Sequence, residues 1–154
     1  MPWLSELLAG HLFAPETAER LTVLIALSHS SWQAVQRLTI GETVTSGGVV
    51  WRSFPVDVQL PEIAHDGVRP GRIAMAAHPD IVSMFRTVST PIRIDIRLVF
   101  TSTPDTPVRI FPRGSVRRPR VEEDRIHADI VWPEWAEFRV PRHAYTPADF
   151  PGLF

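Results

Sequence analysis

The 154-residue chain is 44% hydrophobic and 21% charged, with a formal net charge of −1. That suits one globular domain able to bury its own core, and it excludes a generic nucleic-acid or membrane-surface binder, which carries a large basic excess. Cysteine is absent, which excludes a disulfide framework, a thiolate metal site, an Fe–S cluster and a cysteine nucleophile.

Lysine and asparagine are also missing, and all 16 basic residues are arginine. Both absent residues have A/T-rich codons, so GC-rich coding accounts for the bias. No single arginine can then be read as chosen over lysine for its planar fork. Met1–Glu6 has neither the basic nor the apolar region of a signal peptide, and the apolar run Leu21–Leu27 is too short to span a bilayer. The expectation is a chain made in a cytoplasm and kept there unless a larger assembly carries it out.

Leu4, Leu7, Leu8 and Leu12 recur at helical spacing, predicting a short amphipathic helix over 3–12 in a helical N-terminal segment, 1–20. Thr22–Ser28 is apolar on both faces, the pattern of a strand buried on both sides. Leu38 and Ile40 alternate with polar neighbours. Thr43–Thr45 then runs into the turn signal Ser46-Gly47-Gly48, with Val49–Phe54 as the return strand. Val56–Leu60 alternates until Pro61, Ala64–Gly71 reads as a turn, and Ile73 and Met75 mark a further strand. Ile81, Val82, Phe85 and Val88 follow helical spacing behind Pro79-Asp80, where Asp80 is placed to cap a helix near 80–88. The clearest strand puts Ile92, Ile94, Ile96 and Leu98 on one face and Arg93, Asp95 and Arg97 on the other. That polar face is wet or paired with another subunit. Thr101–Pro107 reads as a turn, with strands near Val108–Phe111, Val116–Val121 and Arg125–Trp132. Residues 133–154 hold four of the 15 prolines and read as an extended arm. Seven to ten short strands with one inserted helix predict a mostly β single domain, a β-sandwich or small barrel over 21–132.

The six histidines yield no ligand or triad spacing: His65-Asp66 and His78-Pro79-Asp80 stand in turns, where histidine is usually solvated. Glu122-Glu123-Asp124 lacks the alternate spacing of a Ca²⁺ loop and reads as a solvated turn. Arg109, Arg113, Arg117, Arg118 and Arg120 form the densest basic patch, but the acidic run follows at once and no aromatic stacking platform is interleaved. Ion pairing between subunits fits it better. Trp3, Trp32, Trp51, Trp132 and Trp135 are scattered in the manner of core and interface anchors. The residues thus point to no catalytic, cofactor or metal site.

Several strings resemble a family of minor tail proteins of tailed phages and prophages, classed as a domain of unknown function. They are Leu12–Thr17, Leu24–His29, Thr45–Gly48 leading to Trp51–Pro55, Leu98–Thr106 and Tyr145–Phe154. The last two are the most specific. The layout is also similar, more distantly, to the N-terminal part of the lambda-like minor tail protein L type, though without the Cys-rich cluster that follows there. After the first strand, Ser30-Ser31-Trp32 and Arg37–Ile40 depart from the family pattern.

The resemblance implies a non-enzymatic structural subunit of the virion tail tip, of the phage tail-tube or hub type and synthesised in a bacterial host. It implies a homo-oligomeric ring, trimeric and hub-like or hexameric and distal-ring-like, which docks tail-tube, distal-tail, hub and tape-measure proteins. DNA would be only passing cargo in the lumen, and no membrane is involved. Phe150 and Phe154 on the arm, with Arg93, Arg97, Arg117 and Arg118, are the expected interface residues. The rival readings are a carbohydrate- or receptor-binding β-sandwich using exposed tryptophans, and a small hydrolase or metal enzyme around His65 and His78.

Overall fold

The computed structural model describes residues 3–6, 20–65 and 67–132. The fold is mostly β, as the alternation predicts. The strands are β1 (Leu21–Ser28), β2 (Gln36–Ile40), β3 (Val44–Ser46), β4 (Val49–Ser53), β5 (Val56–Gln59), β6 (Glu62–Ala64), β7 (Gly67–Arg69) and β8 (Gly71–Ala76). Helix α1 (Pro79–Arg86) follows, then β9 (Ile92–Phe100), β10 (Thr103–Glu122) and β11 (Arg125–Val131). Nine strands form one open mixed sheet in the order β3-β4-β2-β1-β9-β10-β11-β8-β5, and β6 and β7 form a separate hairpin. The β2–β4 pair is parallel and the other pairs are antiparallel.

Covalent continuity makes this sheet curl. β4 pairs with β2 and β5 with β8, yet only Phe54 and Pro55 separate β4 from β5. Phe54 N–H still donates to Thr39 O (3.3 Å), while Pro55 O accepts from Ala76 N–H (2.9 Å). The chain therefore leaves one end of the sheet and joins the other within two residues, which brings β5 against β2. The concave side encloses the main core: Val23, Ile25 and Leu27 of β1, Ile92, Ile94 and Ile96 of β9, Ile73 and Met75 of β8, and Ile126 and Ile130 of β11. Each such side chain contributes about 1.5–3 kcal/mol on leaving water. Ile81 and Phe85, one helical turn apart on α1, join the same core.

β1 is apolar on both faces because both are covered. Leu24 packs with Trp51 and Val99 on the convex side, where the β3–β4 hairpin folds across β1 and β9. The hairpin tip is fastened to the start of β10: Ser46 Oγ donates to Pro104 O and Gly47 N–H to Asp105 Oδ1, both at 2.7 Å. At the other margin the N-terminal turn docks on β5. Leu4 is buried, and Ser5 gives its N–H (3.2 Å) and its hydroxyl to the Asp57 carboxylate.

Three local readings need correction. The N-cap of α1 is His78, which makes no side-chain capping bond; Asp80 lies in the first turn, where its charge still suits the helix dipole. The stretch read as a turn after Ala64 holds β7 of a second hairpin, made possible by Gly67 at φ +129°. The segment 101–107 is a turn only at 101–102; β10 begins at Thr103 and runs for 20 residues, merging two expected strands. Of the helical N-terminal segment only 3–6 is described, with 4–6 helical. The expected arm at 133–154 lies outside the described residues.

Candidate interaction surface

Strand alternation sorts the arginines onto the convex face. On β9, Ile92, Ile94 and Ile96 point to the core, so Arg93, Asp95 and Arg97 point away from it. Arg97 lies between Leu24 of β1 and Ile110 of β10, and Arg93 between Ser28 and Ser115. Arg93 Nε reaches Asp95 Oδ2 at 3.5 Å, and Asp95 Oδ1 accepts the Arg113 N–H at 2.8 Å. The Asp95 carboxylate is thus engaged within the subunit, while the guanidinium of Arg97 is exposed.

The same rule on β8, β10 and β11 turns Arg72, Arg117, Arg120, His127 and Asp129 outward, with Asp129 opposite both Arg117 and Arg72, and His127 opposite Arg120. Arg72, Arg118, Arg120, Glu122, His127 and Asp129 line a groove of about 340 Å³. No ion pair joins Arg72, Arg118 or Arg120 to a carboxylate of the described residues. Arg118 has φ +53°, a conformation uncommon for an L side chain, and forms with Pro119 a bulge that also borders a second groove of about 370 Å³ beside Val88–Ile92. The groove offers guanidinium forks beside carboxylates. Such a mixed surface matches a partner bearing both charges.

The structure leaves Arg93, Arg97 and Arg117 exposed on β9 and β10, and Arg118 exposed at the adjoining bulge. Phe150 and Phe154 lie outside the described residues. His65 is exposed beside the β6–β7 turn, and Asp66 lies outside the described residues. His78 Nδ1 lies 3.6 Å from Asp80 Oδ2, with both side chains largely in solvent. No group of three or more His, Asp or Glu side chains suited to a metal ion occurs among the described residues. Glu123 and Asp124 form the β10–β11 turn, Glu123 at φ +50°.

Sequence reasoning passed over His29. Its Nδ1 accepts the Ser31 N–H (3.0 Å) and meets Ser31 Oγ, and its Nε2 meets Thr90 Oγ1; both hydroxyl distances are 2.6 Å. Because Nδ1 accepts from a backbone amide, the neutral ring carries its proton on Nε2 and donates to Thr90. The ring thereby clamps the turn after β1 to the loop before β9. Nothing in the local spacing signals this pairing across 61 residues.

Three of the tryptophans are packed. Trp51 and Trp132 are buried, and Trp32 packs against Phe85 and the His29 ring. Trp135 lies outside the described residues. Ring contacts among the described residues join Trp32 and Trp132 to phenylalanine or histidine in tilted geometry, not to each other. Exposed apolar side chains stand elsewhere: Val49 and Val50 on β4, Val108, Ile110 and Val121 on β10.

No protein-family model matches this sequence, and no curated protein matches it either.

Proposed function

We propose that this chain is a structural subunit of the tail tip of a tailed bacteriophage, acting by assembly within the hub or distal ring. The rolled sheet is, in this reading, the tail-tube or hub type of barrel that continues the tail tube. The observation that carries the proposal is the unfinished outer surface of the roll. Among the described residues β10 has no second strand neighbour over residues 103–114 and exposes Val108 and Ile110 there, while a row of arginines crosses the neighbouring convex face. A monomer has to protect such an edge, whereas a ring pairs it with a neighbour. The tail-protein strings support the same reading: Thr45–Gly48 and Trp51–Pro55 build the hairpin that folds over β1, and Leu98–Thr106 leads into β10.

The test is absolute mass by light scattering with negative-stain imaging, alone and after co-expression with adjacent tail-tip proteins. A closed ring of three or six copies supports the proposal and separates hub from distal ring. A chain that stays monomeric in both preparations overturns it.

A further inference from the structure

We propose that the groove over β8, β11 and β10 on the convex face binds a small hydroxylated anion of the sugar-phosphate class. The proposal stands apart from the assembly reading, which concerns how copies of the chain meet.

Two strands and a bulge supply the cationic wall. By alternation, Arg72 of β8 and Arg120 of β10 share the outer face with His127 and Asp129 of β11. Arg118 would not reach that face from a regular strand. Val116 is buried in the core and Arg117 points outward, so strict alternation would turn Arg118 inward again. The register shift between Arg117 and Arg120, with Arg118 at φ +53°, instead leaves Arg118 exposed and lining the groove with Arg72 and Arg120. A bulge re-aims a side chain in this way. No carboxylate of the described residues forms an ion pair with any of these three guanidiniums. Uncommitted forks gathered in one groove suit an anion with several acceptor oxygens, and a phosphate monoester presents them in a geometry that guanidinium matches.

The carboxylates narrow the class. Asp129 stands between Arg72 and Arg117 in the ladder, and Glu122 lines the same groove. Both repel a bare anion, yet each accepts hydrogen bonds from hydroxyl groups. A ligand with a phosphate for the arginines and hydroxyls for Asp129 and Glu122 satisfies both kinds of group at once. The groove volume of about 340 Å³ falls at the small end of the range for ligand sites, the scale of one sugar-phosphate unit.

Isothermal titration calorimetry on the full chain at low ionic strength compares glucose-6-phosphate, ribose-5-phosphate and glycerol-3-phosphate with inorganic phosphate and with glucose. The expected result is that at least one of the three organic phosphates binds more tightly than inorganic phosphate, while glucose does not bind. Arg72→Gln and Arg120→Gln, at exposed side chains, should each weaken that binding about tenfold, the loss of one charge-assisted hydrogen bond. Arg52→Gln, exposed on β4 and outside the groove, should leave it unchanged. Asp129→Ala gives the distinguishing sign: inorganic phosphate should bind more tightly once a repelling charge is gone, while the preference for the organic phosphate disappears. Far-UV circular dichroism establishes that each variant is folded. The proposal is overturned if none of the three organic phosphates binds, if none binds more tightly than inorganic phosphate, if both groove arginine variants bind as the parent does, or if Asp129→Ala keeps the preference. Each isotherm is read whether or not the chain forms rings, so failure here leaves the assembly reading standing, and a monomer by light scattering leaves this site standing.

Discussion

Replacing Trp132 tests how the roll is packed where β10, β11 and β8 meet. The ring is 4% exposed, packs on Phe111 at a centroid distance of 6.3 Å, and lies over two glycines. A Cβ built on Gly71 would approach Cζ3 to 2.9 Å, and one on Gly114 would approach Nε1 to the same distance. Trp132→Ala removes a fully buried aromatic from a site walled on two sides by glycine backbone, which cannot close over the gap, so the cost is about 3–5 kcal/mol. With a urea dependence of about 2 kcal/mol per molar, the unfolding midpoint falls by about 2 M.

Trp132→Phe separates volume from polarity. Nε1 is buried with no hydrogen-bond partner among the described residues, a desolvation penalty of about 1–3 kcal/mol that phenylalanine does not carry. That relief offsets the lost ring atoms, and the expected net change is within about 1 kcal/mol. Gly114→Ala costs about 1–3 kcal/mol, since its Cβ would also stand 2.7 Å from Ile94 Cγ2. In the Trp132→Ala background one of these two clashes is gone, so the double variant should be less destabilised than the sum by about 1 kcal/mol. Urea unfolding followed by far-UV circular dichroism measures all four proteins. A Trp132→Ala loss below 1 kcal/mol, or the same Gly114→Ala cost in both backgrounds, would falsify this account of the packing.

The β3–β4 turn has Gly47 at φ +60° and Gly48 at +73°, so Gly48→Val should lower stability by about 1–2 kcal/mol, and Gly47→Asn by only a few tenths, in thermal unfolding. Thr22 is buried and its hydroxyl donates to Ile40 O at 2.8 Å; Thr22→Val keeps the shape but loses the bond, costing about 1 kcal/mol by denaturant titration. His29→Ala removes the clamp between the turn after β1 and Thr90, so amide hydrogen exchange at 29–32 and 88–90 should quicken while the β9 core stays protected; unchanged exchange there contradicts the clamp.

Much of this architecture could be read from the residues because the core strands are strictly patterned. Ile92, Ile94 and Ile96 alternate with Arg93, Asp95 and Arg97, and the register follows the alternation without exception. Leu21–Ser28 is legible for the opposite reason: continuous apolarity means cover on both faces, and Trp51 supplies the second cover from 24 residues beyond Leu27. What local pattern cannot encode is how strands are ordered. That β4 and β5 join opposite ends of one sheet depends on contacts between distant segments. The arginine face was half legible: the outward direction of Arg93 and Arg97 follows from period two, whereas Arg72 joins the groove only because β8 lies beside β11.

β10 shows why prolines misled the sequence reading and what they accomplish. Its four register shifts fall at Thr103/Pro107, Pro107/Arg109, Phe111/Gly114 and Arg117/Arg120, and each spans or abuts a proline: Pro104, Pro107, Pro112 or Pro119. Arg113 and Arg118, at φ +59° and +53°, adjoin two of them. A proline within a paired central strand would break the ladder, but at a bulge its missing N–H deprives no neighbour. Successive bulges bend a strand and raise its twist, which lets a 20-residue element follow the curl of the sheet from Phe100 to the turn at Glu123. The same prolines divide the side of β10 that is unpaired among the described residues into short stretches. A flat edge of that length with all donors present would pair with any extended chain. Interrupted as it is, the edge over Val108–Phe111 keeps only the alternate N–H groups that β9 does not use, which leaves little template for indiscriminate pairing.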